Sequence, residues 1–149
     1  MAHFQGVVWG PPFGKNVFLR STHPEPTTES YTFGSASMPT ITIGTEVTKV
    51  LQPGTVLASI TSGPDNGKIG VYQAGATDGR QTAANIVGLN YTFLPWQLNE
   101  RDVEVSAIYI CVAKLAKCFE YDAAGAPIAL TAAVADAMRN TRNLDCMFV

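Results

Sequence analysis

Short runs of β-branched residues between pairs of turn residues occupy the middle of this chain, and they limit it to a fold rich in β-strands. The turn pair Pro53-Gly54 precedes a strand predicted at residues 55–61. The pair Asn66-Gly67 suits the positive φ of a hairpin turn, and a further strand is predicted after it at residues 68–73. Two strands joined in this way predict a β-hairpin.

The remaining segments predict further strands and two helices. Asp78-Gly79 is expected to form a turn before a short helix at residues 81–87, which Gly88 ends. An Ala-rich helix is predicted at residues 127–139, with a proline in its first turn. The other predicted strands lie at residues 40–44, 102–112, 114–121 and 144–149, and the second and third of these are expected to form an antiparallel pair.

Residues 1–46 differ in composition from the rest, because they contain five of the nine prolines. Prolines fix φ and remove N–H donors, so no helix or central strand is expected to continue through them. The segment also carries six aromatic residues, which is unusual for a disordered tail. We therefore divide the chain into an N-terminal arm, residues 1–46, and a core domain, residues 47–149. The arm packs either on its own core or on a partner, and both alternatives stay open.

Composition argues against several classes of function. The net charge is −2 and the Lys and Arg residues are scattered, so the chain lacks the basic stripe that nucleic-acid binding needs, and no direct contact with nucleic acid is expected. No apolar run approaches the ~20 residues of a membrane span, and no signal-peptide pattern opens the chain. The cysteines Cys111, Cys118 and Cys146 include no Cys-x-x-Cys pair, which predicts free thiols rather than a disulfide framework.

Catalytic and metal-binding patterns are absent from the sequence. The two histidines, His3 and His23, lie in the arm without Cys, Asp or Glu at metal-ligand spacing. No Gly-x-Ser-x-Gly elbow occurs, and no histidine lies in the core to act as the base of a serine nucleophile. Asp78, Asp102 and Glu104 are candidate carboxylates by residue type alone, because Asp78 before Gly79 is better explained as a turn or N-cap residue and Asp102 and Glu104 are expected on the same strand face. We therefore predict a protein that is not an enzyme and that uses neither a metal nor a cofactor.

Three segments in a fixed order carry a resemblance to a known family. They read PGTVLASIT at residues 53–61, GKIGVY at 67–72 and DGRQTAANIVGL at 78–89. Together they resemble the head decoration proteins of tailed phages, of the lambda protein D type. The resemblance covers about the last two-thirds of the chain.

This resemblance implies a mainly β fold with short helices, an α+β domain of the β-clip or β-tulip type with an extended N-terminal arm. It implies a homotrimer that binds the outside of an expanded phage head at three-fold and quasi-three-fold positions. There the trimer would stabilise the head against the pressure of packaged DNA. The protein would be made in the host cytoplasm and reside on the outer surface of the virion capsid, with the major capsid protein as its partner.

The arm is the part of the chain that the resemblance assigns to capsid contact. Residues 40–44 are expected to add a strand to the capsid protein, and aromatic side chains earlier in the arm are expected to anchor it. The predicted partner-binding residues are Tyr31, Phe33, Thr40, Ile41, Thr42 and Ile43. Deleting residues 1–39 is expected to leave a folded domain that binds heads weakly.

Two alternative functions remain. One is another β-rich structural or tail-associated phage protein. The other is a carrier module, because residues 53–57 are similar to the strand entry of biotinyl and lipoyl domains, in which a lysine on a hairpin carries the cofactor. Lys68, beside the Asn66-Gly67 turn, would be that lysine, although its neighbours Gly67 and Ile69 depart from the family's pattern.

Overall fold

The computed structural model describes residues 17–20, 26–140 and 144–149, and these residues form ten strands, one α-helix and four single turns of 3-10 helix. The strands are β1 (Thr27–Phe33), β2 (Ile41–Ile43), β3 (Glu46–Thr48), β4 (Val56–Ser59), β5 (Ile69–Val71), β6 (Ile86–Asn90), β7 (Val103–Ala113), β8 (Phe119–Tyr121), β9 (Pro127–Ala129) and β10 (Asp145–Phe148). The α-helix is α1 (Ala132–Asn140), and the 3-10 turns are Ser35–Ser37, Ala83–Asn85, Gln97–Asn99 and Leu115–Lys117. The predicted class, mainly β with short helices, is confirmed.

The main sheet closes on itself around the long strand β7. Its strands follow the order β1-β5-β4-β6-β7-β10, and β1 also pairs with β7. The antiparallel β1–β7 pairing runs from Thr27 opposite Ile110 to Phe33 opposite Val103. A parallel bridge between Phe33 and Ile69 then joins β1 to β5. Five strands therefore form a ring, and β10 lies parallel to β7 outside it.

Two small hairpins accompany the ring. One consists of β2 and β3, and the other of β8 and β9. The second hairpin is tied to the ring through β8, because the Phe119 N–H donates to the Gly54 carbonyl and the Tyr121 N–H donates to the Tyr72 carbonyl. The main sheet thus holds most of the strand pairing, while the hairpins lie at its periphery.

Side chains on the two faces of the ring strands form two separate apolar cores. Adjacent residues of one strand point to opposite faces, so Leu57 joins one core and Val56 the other. The first core is built on Phe33, Leu57, Ile69, Val71, Val105 and Ala107. The second lies under α1 and combines Ile108, Val134, Met138, Cys146 and Phe148. Strands β4 and β7 thus contribute to both cores, although Glu104 and Ile110 of β7 are exposed.

The predicted helix at residues 81–87 is wrong. Residues Ala83–Asn85 make one 3-10 turn, and the chain then enters strand β6. Gly88 does not end a helix: it has φ of 146°, and a Cβ at this position would collide with the carbonyl oxygen of Ile108. This close approach of β6 to β7 requires glycine. The sheet pairing of β6 with β4 and β7 therefore overrides the local helical pattern.

The antiparallel pairing predicted for residues 114–121 is also wrong. One edge of β7 is occupied by β1, and the other by β6 and β10, so β8 pairs with β9 instead.

The Ala-rich helix begins at Ala132 rather than at residue 127, because Pro127–Ala129 is strand β9. Thr131 caps the helix by accepting the Val134 N–H at its hydroxyl, and the carboxylate of Glu120 accepts from both the N–H and the hydroxyl of Thr131.

The predicted boundary between arm and core, after residue 46, does not coincide with the edge of the folded sheet. Strand β1 belongs to the ring, and Phe33 is 0% exposed in its core. Residues 27–33 therefore pack on the chain's own domain. The expectation that a chain without residues 1–39 stays folded does not fit this structure, because that deletion removes β1. Residues 1–16 and 21–25, with both histidines, lie outside the described residues.

The burial of Phe33 generates a stability prediction. We expect Phe33→Ala to lower the free energy of unfolding by about 3–5 kcal/mol, because it leaves a cavity where β1, β5 and β7 meet. Chemical denaturation followed by far-UV circular dichroism measures this change. Thr32→Ala, at the exposed neighbouring position of β1, is the control and should change stability by less than about 0.5 kcal/mol. Equal, small effects of both variants would show that β1 is not part of the folded sheet.

Candidate functional site

The β2–β3 hairpin is an exposed element that carries three of the six predicted partner-binding residues, Ile41, Thr42 and Ile43. A two-residue turn, Gly44-Thr45, joins its strands. Gly44 has φ of 63°, and no atom beyond its chain neighbours lies within 4 Å of a Cβ placed there. A two-residue hairpin turn with glycine at its first position favours this positive φ. The tip of the hairpin is therefore well defined and surrounded by solvent.

The hairpin presents one side-chain face and two backbone edges outward. Ile43 pairs with Glu46 and Thr42 pairs with Val47. Residues that flank a two-residue turn exchange both hydrogen bonds, and the pattern then alternates. The N–H and C=O groups of Thr42 and Val47 thus point to the outer edges of the hairpin. Among the described residues, none pairs with either edge.

The base of the hairpin is fixed to the domain by side-chain hydrogen bonds. Asn99 donates through Nδ2 to Thr48 Oγ1 at 2.8 Å, and its Oδ1 accepts the Lys49 N–H at 2.8 Å. Lys49 Nζ donates to the Ser35 carbonyl at 2.7 Å. Ile41 lines a small apolar cavity of about 100 Å³, and the other lining residues are Val50, Gln52, Thr55, Phe119, Tyr121 and Pro127. The hairpin is thus held in a fixed orientation before any partner binds.

The structure places the predicted partner-binding residues in three different environments. Thr40 and Thr42 are exposed, whereas Ile41 and Ile43 are half-buried on the opposite face of β2. These four residues lie together on or beside the hairpin. Phe33 is fully buried in the first core, so its side chain is not an available anchor on this domain's surface. The sequence does not reveal this burial, because it depends on β1 joining the ring.

Tyr31 lies away from the hairpin, in a cleft of about 530 Å³ beside β1 and β7. Its hydroxyl donates to Glu29 Oε2 at 2.9 Å. Burial, and then the adjacent Glu29 carboxylate, raise the pKa of Tyr31 to about 12, so its hydroxyl stays protonated at neutral pH. The other lining residues are Ile86, Val87, Tyr109, Ile110, Leu144 and Asp145.

Lys68, the lysine of the carrier alternative, is held by two carboxylates. Its Nζ lies 2.6 Å from Asp65 Oδ1 and 2.6 Å from Asp102 Oδ2. Hydrogen bonds to Asp102 and then to Asp65 raise the pKa of Lys68. Lys68 and the Ser35 N–H lower the pKa of Asp102 to about 2. A carrier lysine must be free for acylation, so this ion-paired arrangement disfavours the carrier function.

Arg80 is a structural residue that the sequence analysis missed. It is only 8% exposed, and its Nε lies 3.0 Å from both carboxylate oxygens of Asp78. Its NH1 donates to the carbonyls of Ser37 and Val71. Arg80 thus fixes the Asp78-Gly79 turn against β5. Asp78, two positions before Arg80, could have indicated this role, because a buried arginine requires a charged partner.

The three candidate carboxylates do not converge. Asp78 contacts Arg80, Asp102 contacts Lys68, and Glu104 is exposed on β7. Within the described ranges, no group of three or more His, Cys, Asp or Glu residues could hold a metal ion. Of the helices in the part of the chain described, none has the length and apolar character that a membrane crossing needs.

No protein-family model, no curated protein and no solved structure matches this chain.

The Asp102–Lys68 ion pair predicts a pH dependence of stability. The pKa of Asp102 in the folded state, about 2, lies below its ordinary value of 3.8, so the stabilisation is present above about pH 4 and is lost as the pH falls toward 2. Asp102→Asn should therefore lower the Tm at pH 7, and the Tm difference from the unmodified protein should shrink to a small fraction of that value as the pH falls to 2. Thermal unfolding between pH 2 and pH 7 measures both values.

Glu104→Gln is the matched control, because it makes the same charge change at an exposed position of β7. Its Tm should follow that of the unmodified protein at every pH. A Tm difference for Asp102→Asn that persists unchanged to pH 2 would contradict the assigned ion pair.

Proposed function

We propose that this protein is a structural virion protein that decorates the outside of an expanded phage head. It binds as a homotrimer at three-fold and quasi-three-fold positions, and its partner is the major capsid protein. The segments that carry the family resemblance support this proposal, since residues 53–61 contribute β4, residues 67–72 contribute β5 and residues 78–89 contribute most of β6. These three strands are neighbours in one sheet, in the order β5-β4-β6. They are therefore one structural unit rather than scattered turn signals.

The open outer edge of β2 is the observation that carries the proposed mode of binding. An exposed strand edge can add a strand from a partner, in which main-chain hydrogen bonds supply adhesion and alternate side chains supply register. The edge of β2 presents the backbone of Thr42, and the outward side chains beside it are Thr40, Thr42 and Val47. Val47 is 64% exposed, which is high for a large apolar side chain on a fixed element. We assign these residues to capsid contact.

The hairpin is already ordered before binding, so it loses less backbone entropy on binding than an arm that becomes ordered only on its partner. Ordering a flexible segment costs about 1–2 kcal/mol of backbone entropy per residue. The hairpin already has its strand pairing and its base contacts with Asn99 and Lys49, so this cost is not incurred for residues 41–48 when the partner binds. A short contact surface is then sufficient for useful affinity.

A trimer makes the hairpin contact three times. Three hairpins that engage neighbouring capsid subunits at once raise the overall affinity by about 10²–10⁴ over one site, provided that the geometry allows simultaneous contact. Separation of the subunits would then require several interfaces to break together. This is how a protein without catalytic chemistry resists the outward pressure of packaged DNA.

Removal of the outward N–H of Thr42 tests the proposal. Thr42→Pro deletes the donor on the open edge of β2 and leaves the hydrogen bonds between β2 and β3 in place. We expect this variant to keep its fold and to bind undecorated expanded heads at least about 10-fold more weakly, because a strand added at this edge loses a ladder hydrogen bond. Sedimentation of heads with bound protein measures the affinity.

Val47→Pro is the matched control, because it removes the corresponding donor on the outer edge of β3. If β2 is the edge that adds a strand, Val47→Pro should bind heads no more weakly than Val47→Ala, which loses the same exposed side chain but keeps the backbone donor. Loss of binding in Val47→Pro but not in Thr42→Pro would show that the capsid strand pairs with β3 rather than with β2. No binding of the unmodified protein to heads, or binding to tails alone, would contradict decoration and favour another structural role in the phage.

A further inference from the structure

Two of the three cysteines lie side by side across the junction of β7 and β10. Cys111 and Cys146 are directly opposite each other in the parallel pairing of these strands, and their Sγ atoms are 3.8 Å apart. Neighbouring strands are about 4.7–4.9 Å apart, which is within the Cα separation of about 4.4–6.8 Å found across disulfides. Formation of a bond requires the two Sγ atoms to approach from 3.8 Å to about 2.05 Å.

The two thiols have different environments. Cys111 is half-buried, whereas Cys146 is fully buried beneath the sheet. Their mutual hydrogen bond lowers the pKa of Cys111, despite its burial and the nearby Asp145 carboxylate. The same hydrogen bond and burial raise the pKa of Cys146. Cys111 is thus the thiol that ionises first and that reagents reach first, and Cys146 lies behind it as a resolving thiol.

The third cysteine is in a different position. Cys118 is buried, its thiol donates to the Lys114 carbonyl at 3.4 Å, and burial raises its pKa to about 12. It therefore serves as an internal comparison for the other two.

We propose that Cys111 and Cys146 form a redox-sensitive pair that a low-molecular-weight disulfide, such as oxidised glutathione, converts into an intramolecular disulfide. The Cys111 thiolate attacks one sulfur of the reagent, which breaks its S–S bond, forms a mixed disulfide and releases one glutathione thiolate. Cys146 then loses its proton and attacks Sγ of Cys111, which releases the second glutathione. Two protein thiols lose two electrons and two protons, and one glutathione disulfide becomes two thiols.

The bond would fasten the C-terminal strand to the centre of the sheet. Strand β10 is paired with β7 alone among the described strands, and the segment between the two cysteines contains β8, β9 and α1. A covalent link across this segment restricts the unfolded chain and so stabilises the folded one. The chemistry favours the reduced pair in a reducing cytoplasm and the disulfide in an oxidising medium. This inference is independent of the proposed function.

Oxidation of the purified full chain tests the inference. The protein is incubated with oxidised glutathione, its remaining thiols are alkylated, and peptide mass spectrometry identifies the linked cysteines. We expect a link between Cys111 and Cys146 within one chain, one free thiol at Cys118, and a rise in Tm of about 5–10 °C that dithiothreitol reverses.

Three variants make the result specific. Cys111→Ser should block both the link and the Tm shift, and Cys146→Ala should stop the reaction at a mixed disulfide on Cys111. Cys118→Ala should still form the link. If Cys146→Ala does not fold, the comparison of Cys111→Ser with the unmodified protein still tests the proposal, because Cys111 is only half-buried. A stable glutathione adduct in the unmodified protein, a link that includes Cys118, or three thiols that remain free would each overturn the proposal.

Discussion

Strand β7 is the constraint on which the rest of the structure depends. Its eleven residues pair with β1 along one edge and with β6 and β10 along the other. Its side chains supply both apolar cores, since Val105 and Ala107 face one core and Ile108 faces the other. Because both edges are filled, the segment after β7 has no place in the main sheet. It forms the β8–β9 hairpin and then the helix that covers the second core.

Closure of the ring leaves few unpaired strand edges among the described residues. An unpaired strand edge exposes backbone donors and acceptors, and a closed sheet removes such edges. The ring uses the edges of β1, β4, β5 and β6 internally, and the unpaired edges among the described strands belong to β10 and to the two small hairpins. Asn99 and Lys49 hold the β2–β3 hairpin in place. The part of the molecule assigned to adhesion is therefore separate from the part that provides stability. Changes on the hairpin can alter binding without disturbing either core.

The sequence predicts the strands whose turns and alternation are local, and it fails where pairing with a distant segment decides the outcome. Strands near residues 40–44, 55–61, 68–73 and 102–112 are confirmed, because glycine turns and β-branched runs are properties of neighbouring residues. The helix predicted at residues 81–87 fails because β6 is selected by its contact with β7.

The same distinction applies to the candidate site. Thr40 to Ile43 were predicted as an extended, accessible segment from their alternation, and the structure places them on or beside an exposed hairpin. Phe33 was predicted as an anchor because the family resemblance assigns the arm to capsid contact, but ring closure buries it. The Cys111–Cys146 proximity has no local signal either, because 35 residues separate the two thiols and only the parallel pairing of β10 brings them together.

Image reconstruction of expanded heads incubated with this protein would show whether it decorates them. We expect trimeric density at the three-fold and quasi-three-fold positions of the outer surface, with the β2–β3 hairpin of each copy against the major capsid protein and a capsid strand beside β2. Density from isolated single copies, density confined to tails, or trimers whose hairpins point away from the capsid would contradict it.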